Sequence, residues 1–132
     1  MDKRPGISAA EWTVMQVLWR ESPLSVLEVF EALQGRSEWH PKTIRTLIGR
    51  LLAKGIVARE KRAGVYRFSP RYTEVECVRE ESQSFLERCF AGKAQPMLAH
   101  FIEHENLTQE DVASLRAMLD AKIRREHDDD SR

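Results

Sequence analysis

The 132-residue chain is 42% hydrophobic and 32% charged, a balance that fits a globular protein and excludes global disorder. No apolar run approaches the roughly 20 residues needed to span a bilayer, so direct membrane binding is not expected. Formal net charge is zero, yet residues 1–72 hold 13 Lys/Arg against 7 Asp/Glu and residues 73–132 hold 8 against 14, so one half can face a polyanion while the other repels it.

Four helix starts follow one pattern. Ser8-Ala9-Ala10-Glu11 is a capping box with Ile7 and Trp12 at the staple positions, and it opens a first helix from about Ala9 to Trp19 with Val14, Met15, Leu18 and Trp19 inward. Ser25-Val26-Leu27-Glu28 repeats the box, stapled by Leu24 and Val29, for a second helix from about Val26 to Gln34 that stops at Gly35. The third starts at Pro41, a favoured first helical residue, and ends before Gly55, a favoured C-cap; its inner face is Ile44, Leu47, Ile48, Leu51 and Leu52. A hairpin follows, with strands Ile56 to Lys61 and Val65 to Ser69 joined by Arg62-Ala63-Gly64 and ended by Pro70.

From Thr73 the pattern is helical throughout. Thr73-Glu74-Val75-Glu76 caps a fourth helix to about Ala91, and a fifth begins near Pro96. Thr108-Gln109-Glu110-Asp111 caps a sixth, to about Glu126, before a charged tail expected to fray. The predicted fold is mainly α with a small β wing: a winged helix-turn-helix over 7–71 and a helical segment over 73–126. Three amphipathic helices in about 55 residues make a poor core alone. Pairing with a second copy through Phe85, Phe90, Phe101, Leu115 and Leu119 would cover their stripes, and packing back on the N-terminal domain is the alternative.

In helix-turn-helix proteins the second helix of the motif lies in the major groove and reads bases from its N-terminal turns. Here that helix turns Lys42, Thr43, Arg45, Thr46, Gly49 and Arg50 outward. Arg can fork onto guanine O6 and N7, and a Thr methyl can pack on thymine. Gly49 costs about 1 kcal/mol in helix propensity relative to Ala; close approach to a DNA backbone or tight helix packing would each account for it. In the wing, Arg59, Lys61, Arg62 and Arg67 suit phosphate contacts, with Arg62 and Arg67 flanking the turn.

Glu11-Trp12, Val14-Met15, Val17-Leu18-Trp19 and the run Trp39-His40-Pro41-Lys42-Thr43-Ile44-Arg45-Thr46-Leu47-Ile48, with Arg50-Leu51 and Lys54-Gly55, resemble the BlaI/MecI/CopY penicillinase-repressor family. The resemblance extends through Tyr66, the Phe85 to Gly92 stretch and Met97-Leu98-Ala99-His100-Phe101-Ile102-Glu103. It implies a cytoplasmic homodimeric repressor on a palindromic double-stranded operator, controlling β-lactamase, penicillin-binding-protein or copper-export genes. In antibiotic-responsive members a membrane sensor-protease system signals cleavage before a Phe in the dimerisation helices; the matching bond is His100–Phe101, where those members have Asn in place of His100. The copper branch ends in paired Cys-x-Cys motifs, whereas this chain ends in Asp128-Asp129-Asp130-Ser131-Arg132.

Other chemistry is less well supported. His100 and His104, four apart beside Glu103, could hold Zn²⁺ only with further ligands, such as Cys89 or a residue across a dimer interface. Cys77 and Cys89 do not form a disulfide framework and fit a reducing cytoplasm. Cys89 falls on the stripe of Phe85, Leu86 and Phe90, which predicts a buried, inert thiol. A metal- or redox-sensing repressor using His100, His104 and Cys89, or a winged-helix protein-interaction module, are the alternatives. No Gly-rich phosphate loop, Gly-x-Ser-x-Gly or His-Glu-x-x-His is present, so neither an enzyme nor a bound cofactor or metal is expected. The apolar start of a secretion signal is also missing behind Lys3-Arg4.

Overall fold

The computed structural model describes residues 5–130. In chain order these form α1 (Ala9–Arg20), α2 (Val26–Ala32), α3 (Pro41–Ala53), β1 (Val57–Arg62), β2 (Val65–Pro70), α4 (Glu74–Phe90), α5 (Ala94–His104) and α6 (Gln109–Asp130). All four expected capping arrangements close. The Ser8 hydroxyl accepts the Glu11 N–H at 3.1 Å while Glu11 Oε1 accepts the Ser8 N–H at 2.9 Å, and Ser25 and Glu28 repeat both distances. Thr73 and Glu76, and Thr108 and Asp111, pair in the same way at α4 and α6.

The chain divides into two compact units between Ser84 and Phe85, within α4. The first is built on α1–α3 and the hairpin. Val14, Met15, Leu18, Val29, Ile44, Ile48, Leu51 and Ile56 are buried at its centre, which matches the three- and four-residue spacing of the helices. Gly55 ends α3 with φ +76°. Its N–H donates to the Leu52 carbonyl and the Ile56 N–H to the Leu51 carbonyl, so Leu51 and Ile56, both fully buried, are fixed at the two ends of a Schellman motif. This turn redirects the chain from α3 straight into the wing.

The wing is a two-stranded antiparallel sheet in which Arg62 pairs with Val65. The turn is therefore Ala63-Gly64 alone, shorter by one residue than the sequence suggested. Both residues have positive φ, +52° and +78°, as a type I′ hairpin turn demands. Leu24, between α1 and α2, adds a short bridge to the sheet: its N–H donates to Phe68 O at 3.0 Å and its carbonyl accepts from Phe68 N at 2.8 Å. The start of α4 belongs to the same unit, with Cys77 buried and Glu81 accepting the Ile7 N–H at 3.3 Å.

In the second unit α6 continues to Asp130 rather than fraying after Glu126; no Gly or Pro interrupts it, and Lys122 and Glu126 pair one turn apart at 3.8 Å. From Phe85 to Asp130 no residue is buried. Ile102, Met118, Leu119 and Ile123 are each more than half exposed. Among the described residues, no helix is long and apolar enough to cross a membrane.

Candidate nucleic-acid interface

The sequence of α3 dictates what it presents. Pro41 stands at the first helical position, and His40 at the N-cap accepts the Lys42 N–H on Nδ1 at 3.1 Å. Ile44, Leu47, Ile48 and Leu51 are buried. Because those positions recur every three or four residues, Lys42, Thr43, Arg45, Thr46, Gly49 and Arg50 are all left exposed on the other side. Thr46 Oγ1 donates to the Lys42 carbonyl at 3.1 Å, which satisfies its hydroxyl proton within the helix and leaves the methyl for apolar contact. The surface so formed has three cations, two threonines and no acid.

A second cationic surface is set by the register of the hairpin. Arg59 and Lys61 stand two apart on β1, and Lys61 faces Tyr66 on β2, so all three side chains share one face. The Arg59 guanidinium lies 4.3 Å from the Tyr66 ring centre and the Lys61 ammonium 5.2 Å, within cation–π range. Tyr66 itself remains 44% exposed. Neither stacking was foreseen from the sequence, because the pairing depends on which residues the two-residue turn sets opposite each other.

Of the two arginines expected to flank the turn, only Arg62 adjoins it, since Val65 and not Arg67 stands opposite Arg62. Arg62 is largely exposed beside the turn, 3.7 Å from Glu60. Arg67 lies further down β2, half-buried, and donates to Glu28 Oε1 at 2.7 Å. That same oxygen caps α2 by accepting the Ser25 N–H, so Arg67 ties the wing to the α2 N-terminus. The Ser25 amide, more than the opposing burial, and the Arg67 charge hold Glu28 below the usual carboxylate pKa. Between α2, α3 and the wing runs an open groove of about 730 Å³ with Leu27, Arg45, Gly49, Arg59, Val65 and Tyr66 in its lining.

A second pairing, also unforeseen, fixes the opposite end of α3. Lys54 Nζ donates to Glu11 Oε1 at 2.6 Å and to the Gly6 carbonyl at 2.8 Å. Glu11 is 1% exposed. Burial pushes its pKa up, but the Lys54 hydrogen bond, the Ser8 donors and the Lys54 charge together outweigh it and hold the carboxyl below its ordinary value. Two charges 43 positions apart give no local sequence signal.

In the second unit, Phe85 stacks on Phe101 at 6.2 Å and meets Phe90 edge-on at 5.8 Å. Phe85, Phe90 and Phe101 are half-buried there, whereas Leu115 and Leu119 are 40% and 54% exposed. The His100–Phe101 bond lies inside α5. His100 and His104 have ring centres 4.5 Å apart, with Glu103 4.0 Å from His104. Among the described residues, no group of three or more His, Cys, Asp or Glu is placed to hold a metal ion. The expected burial of Cys89 does not hold: Cys89 is exposed, although Phe85, Leu86 and Phe90 on the same stripe are half-buried, and it is Cys77, at the start of α4 in the first unit, that is buried.

The sequence profile described as Penicillinase repressor matches residues 7–121. The penicillinase repressor of Bacillus licheniformis is 36% identical over 120 residues, which cover 91% of this chain and 94% of that protein. The methicillin resistance regulatory protein MecI of Staphylococcus aureus strain N315 is 34% identical over 116 residues, 88% and 94% of the two chains. Among solved structures, the DNA-binding domain of the repressor BlaI aligns with a TM-score of 0.50 at 40% identity, over 56% of this chain and 90% of that one. The monomeric form of Bacillus licheniformis BlaI in complex with the blaP half-operator aligns with a TM-score of 0.50 at 39% identity, over 58% and 93%. A winged helix with an acid-free outer α3 face, matched to these relatives over nearly its whole length, belongs to the penicillinase repressor family, whose members are DNA-binding transcriptional repressors and not enzymes.

Proposed function

We propose that the chain is a homodimeric repressor of β-lactamase or other antibiotic- or stress-response genes, acting on a palindromic operator. The observation that carries this reading is the exposed α3 surface, since a solved relative bearing the same unit is described in complex with its half-operator. Arg45 and Thr46 read base edges from the first turns of α3, flanked by Lys42, Thr43 and Arg50. Arg62 meets phosphate beside the turn. Arg67 adds positive charge while it anchors the wing to Glu28. Residues 7–71 bind DNA, and 73–126 join two copies.

Dimerisation is supported by the second unit, which buries no side chain between Phe85 and Asp130. A row of aliphatic side chains left in water is stabilised by a matching row on a second copy, at about 25 cal/mol per Å² removed from solvent. Two modules joined in this way hold a palindrome more tightly than one, by up to about 10²–10⁴-fold. Cleavage of His100–Phe101, signalled by a membrane sensor-protease system, would then release DNA without altering a single contact residue. The bond lies within a helix, so α5 must open locally before a protease can accept it.

The test compares the full chain with residues 1–100 by sedimentation and duplex titration. The reading predicts a dimer for the first, a monomer for the second, and an affinity loss of at least about a hundredfold. A truncated protein that stays dimeric with undiminished affinity would rule out release by cleavage here.

A further inference from the structure

Gly49 is the ninth residue of α3 and lies in the middle of a regular helix, where glycine lowers the folded-to-unfolded ratio about fivefold relative to alanine. None of the usual structural reasons for glycine applies. Its φ is not positive, and a Cβ built on it would meet no atom within 4 Å. Tight packing inside the chain, one of the two explanations open from the sequence, is thereby excluded. The position is exposed and forms part of the floor of the groove between α3 and the wing.

The walls of that groove indicate what fills it. Leu27, on α2, is 58% exposed, and Val65 and Tyr66 on β2 are 42% and 44% exposed. Arg45, Arg59 and the Arg67–Glu28 ion pair border these apolar surfaces; with Arg45 assigned to base edges, Arg59 is the cation that meets phosphate. Apolar walls bordered by a guanidinium group complement a deoxyribose–phosphate strand, whose sugars are apolar on their faces and whose phosphates are anionic. Base reading comes from the first turns of a recognition helix, and Gly49 lies beyond them, so the neighbouring element of DNA is the strand and not a base edge.

We propose that Gly49 is a positioning residue for DNA: the absence of a side chain there lets one sugar–phosphate strand settle against the α3 backbone, with Leu27 and Tyr66 packed on its sugars. This rests on the DNA-binding reading above. It places an affinity determinant at a position where the chain sacrifices stability.

The experiment measures folding and binding of the same variant, Gly49→Ala. The probes are the duplex that the wild-type chain enriches from a random-sequence pool, and an unrelated duplex of equal length. We expect the folded-to-unfolded ratio to rise about fivefold while affinity for both duplexes falls by a similar factor, between about fivefold and a hundredfold, as for a methyl forced into a close-packed contact. Leu27→Ala is expected to weaken both duplexes alike. Raised stability with unchanged binding overturns the proposal, and loss confined to the enriched duplex overturns the assignment to the strand. If the wild-type chain enriches no duplex, the DNA-binding reading fails instead, and the two failures are distinct.

Discussion

Replacing Lys54 with Met keeps the aliphatic stem and removes the ammonium that faces Glu11. The Glu11 side chain is 2% exposed and that of Lys54 28%, so the two ends of the pair differ in their access to water. Removing one partner of a fully buried pair costs about 3–5 kcal/mol. Here the carboxylate keeps the Ser8 N–H and the site is open on the lysine side, which lowers the expected loss to about 2–3 kcal/mol. Glu11→Gln is the milder change, about 1 kcal/mol, because Gln still completes the capping box and the freed lysine hydrates. All three tryptophans, Trp12, Trp19 and Trp39, lie in the first unit, so urea unfolding followed by tryptophan fluorescence reports that unit alone.

The pH dependence carries the sharper test. In the wild type Glu11 lies below its ordinary value of 4.5 when folded. Its contribution is therefore present above about pH 4.5 and is lost as pH falls through the folded pKa. In Lys54→Met, only the Ser8 hydrogen bonds still oppose burial, so the folded pKa of Glu11 rises relative to the wild type. Less stability is then lost as pH falls through that pKa, so the deficit relative to wild type shrinks in acid. Equal losses for Lys54→Met and Glu11→Gln, or a deficit that does not change with pH, would mean that Lys54 does not hold Glu11 ionised.

Arg45→Ala is expected to cost about 1–3 kcal/mol on the enriched duplex and much less on random DNA, read by titration at fixed salt; equal losses on both would reassign Arg45 to phosphate. Arg62→Ala is expected to weaken all duplexes alike and to lower the slope of log affinity against log salt by about one unit, and an unchanged slope would mean that this side chain does not meet DNA. Ala63 holds φ +52° in a turn that favours Asn-Gly, so Ala63→Asn should stabilise the first unit by about 0.5–1 kcal/mol in the same urea assay. A loss of stability would contradict the turn assignment.

What the sequence conveyed well was local. The capping boxes at Ser8, Ser25, Thr73 and Thr108 each join groups three residues apart, and Gly55 acts within six residues of Leu51 and Ile56, so their chemistry is complete within a short window. The outward face of α3 was legible for the same reason, because it is the complement of Ile44, Leu47, Ile48 and Leu51. The features that escaped are contacts across long separations: Lys54 on Glu11, Arg67 on Glu28, and Leu24 bridging Phe68. Each places one side chain or backbone edge against another element, and no spacing rule specifies which. The expected burial of Cys89 failed differently. An apolar stripe indicates a face that seeks cover but not how far along its width the cover reaches, and Cys89 stays exposed beside the half-buried Phe85, Leu86 and Phe90.

In the proposed complex, two copies hold two inverted half-sites through α3. The most direct measurement is a titration of the full chain against a duplex with both half-sites and against one in which a single half-site is scrambled, with stoichiometry read at saturation. Two chains per intact duplex are expected, with affinity at least about a hundredfold weaker when one half-site is lost. One chain per duplex, with the same affinity for both, would contradict that arrangement.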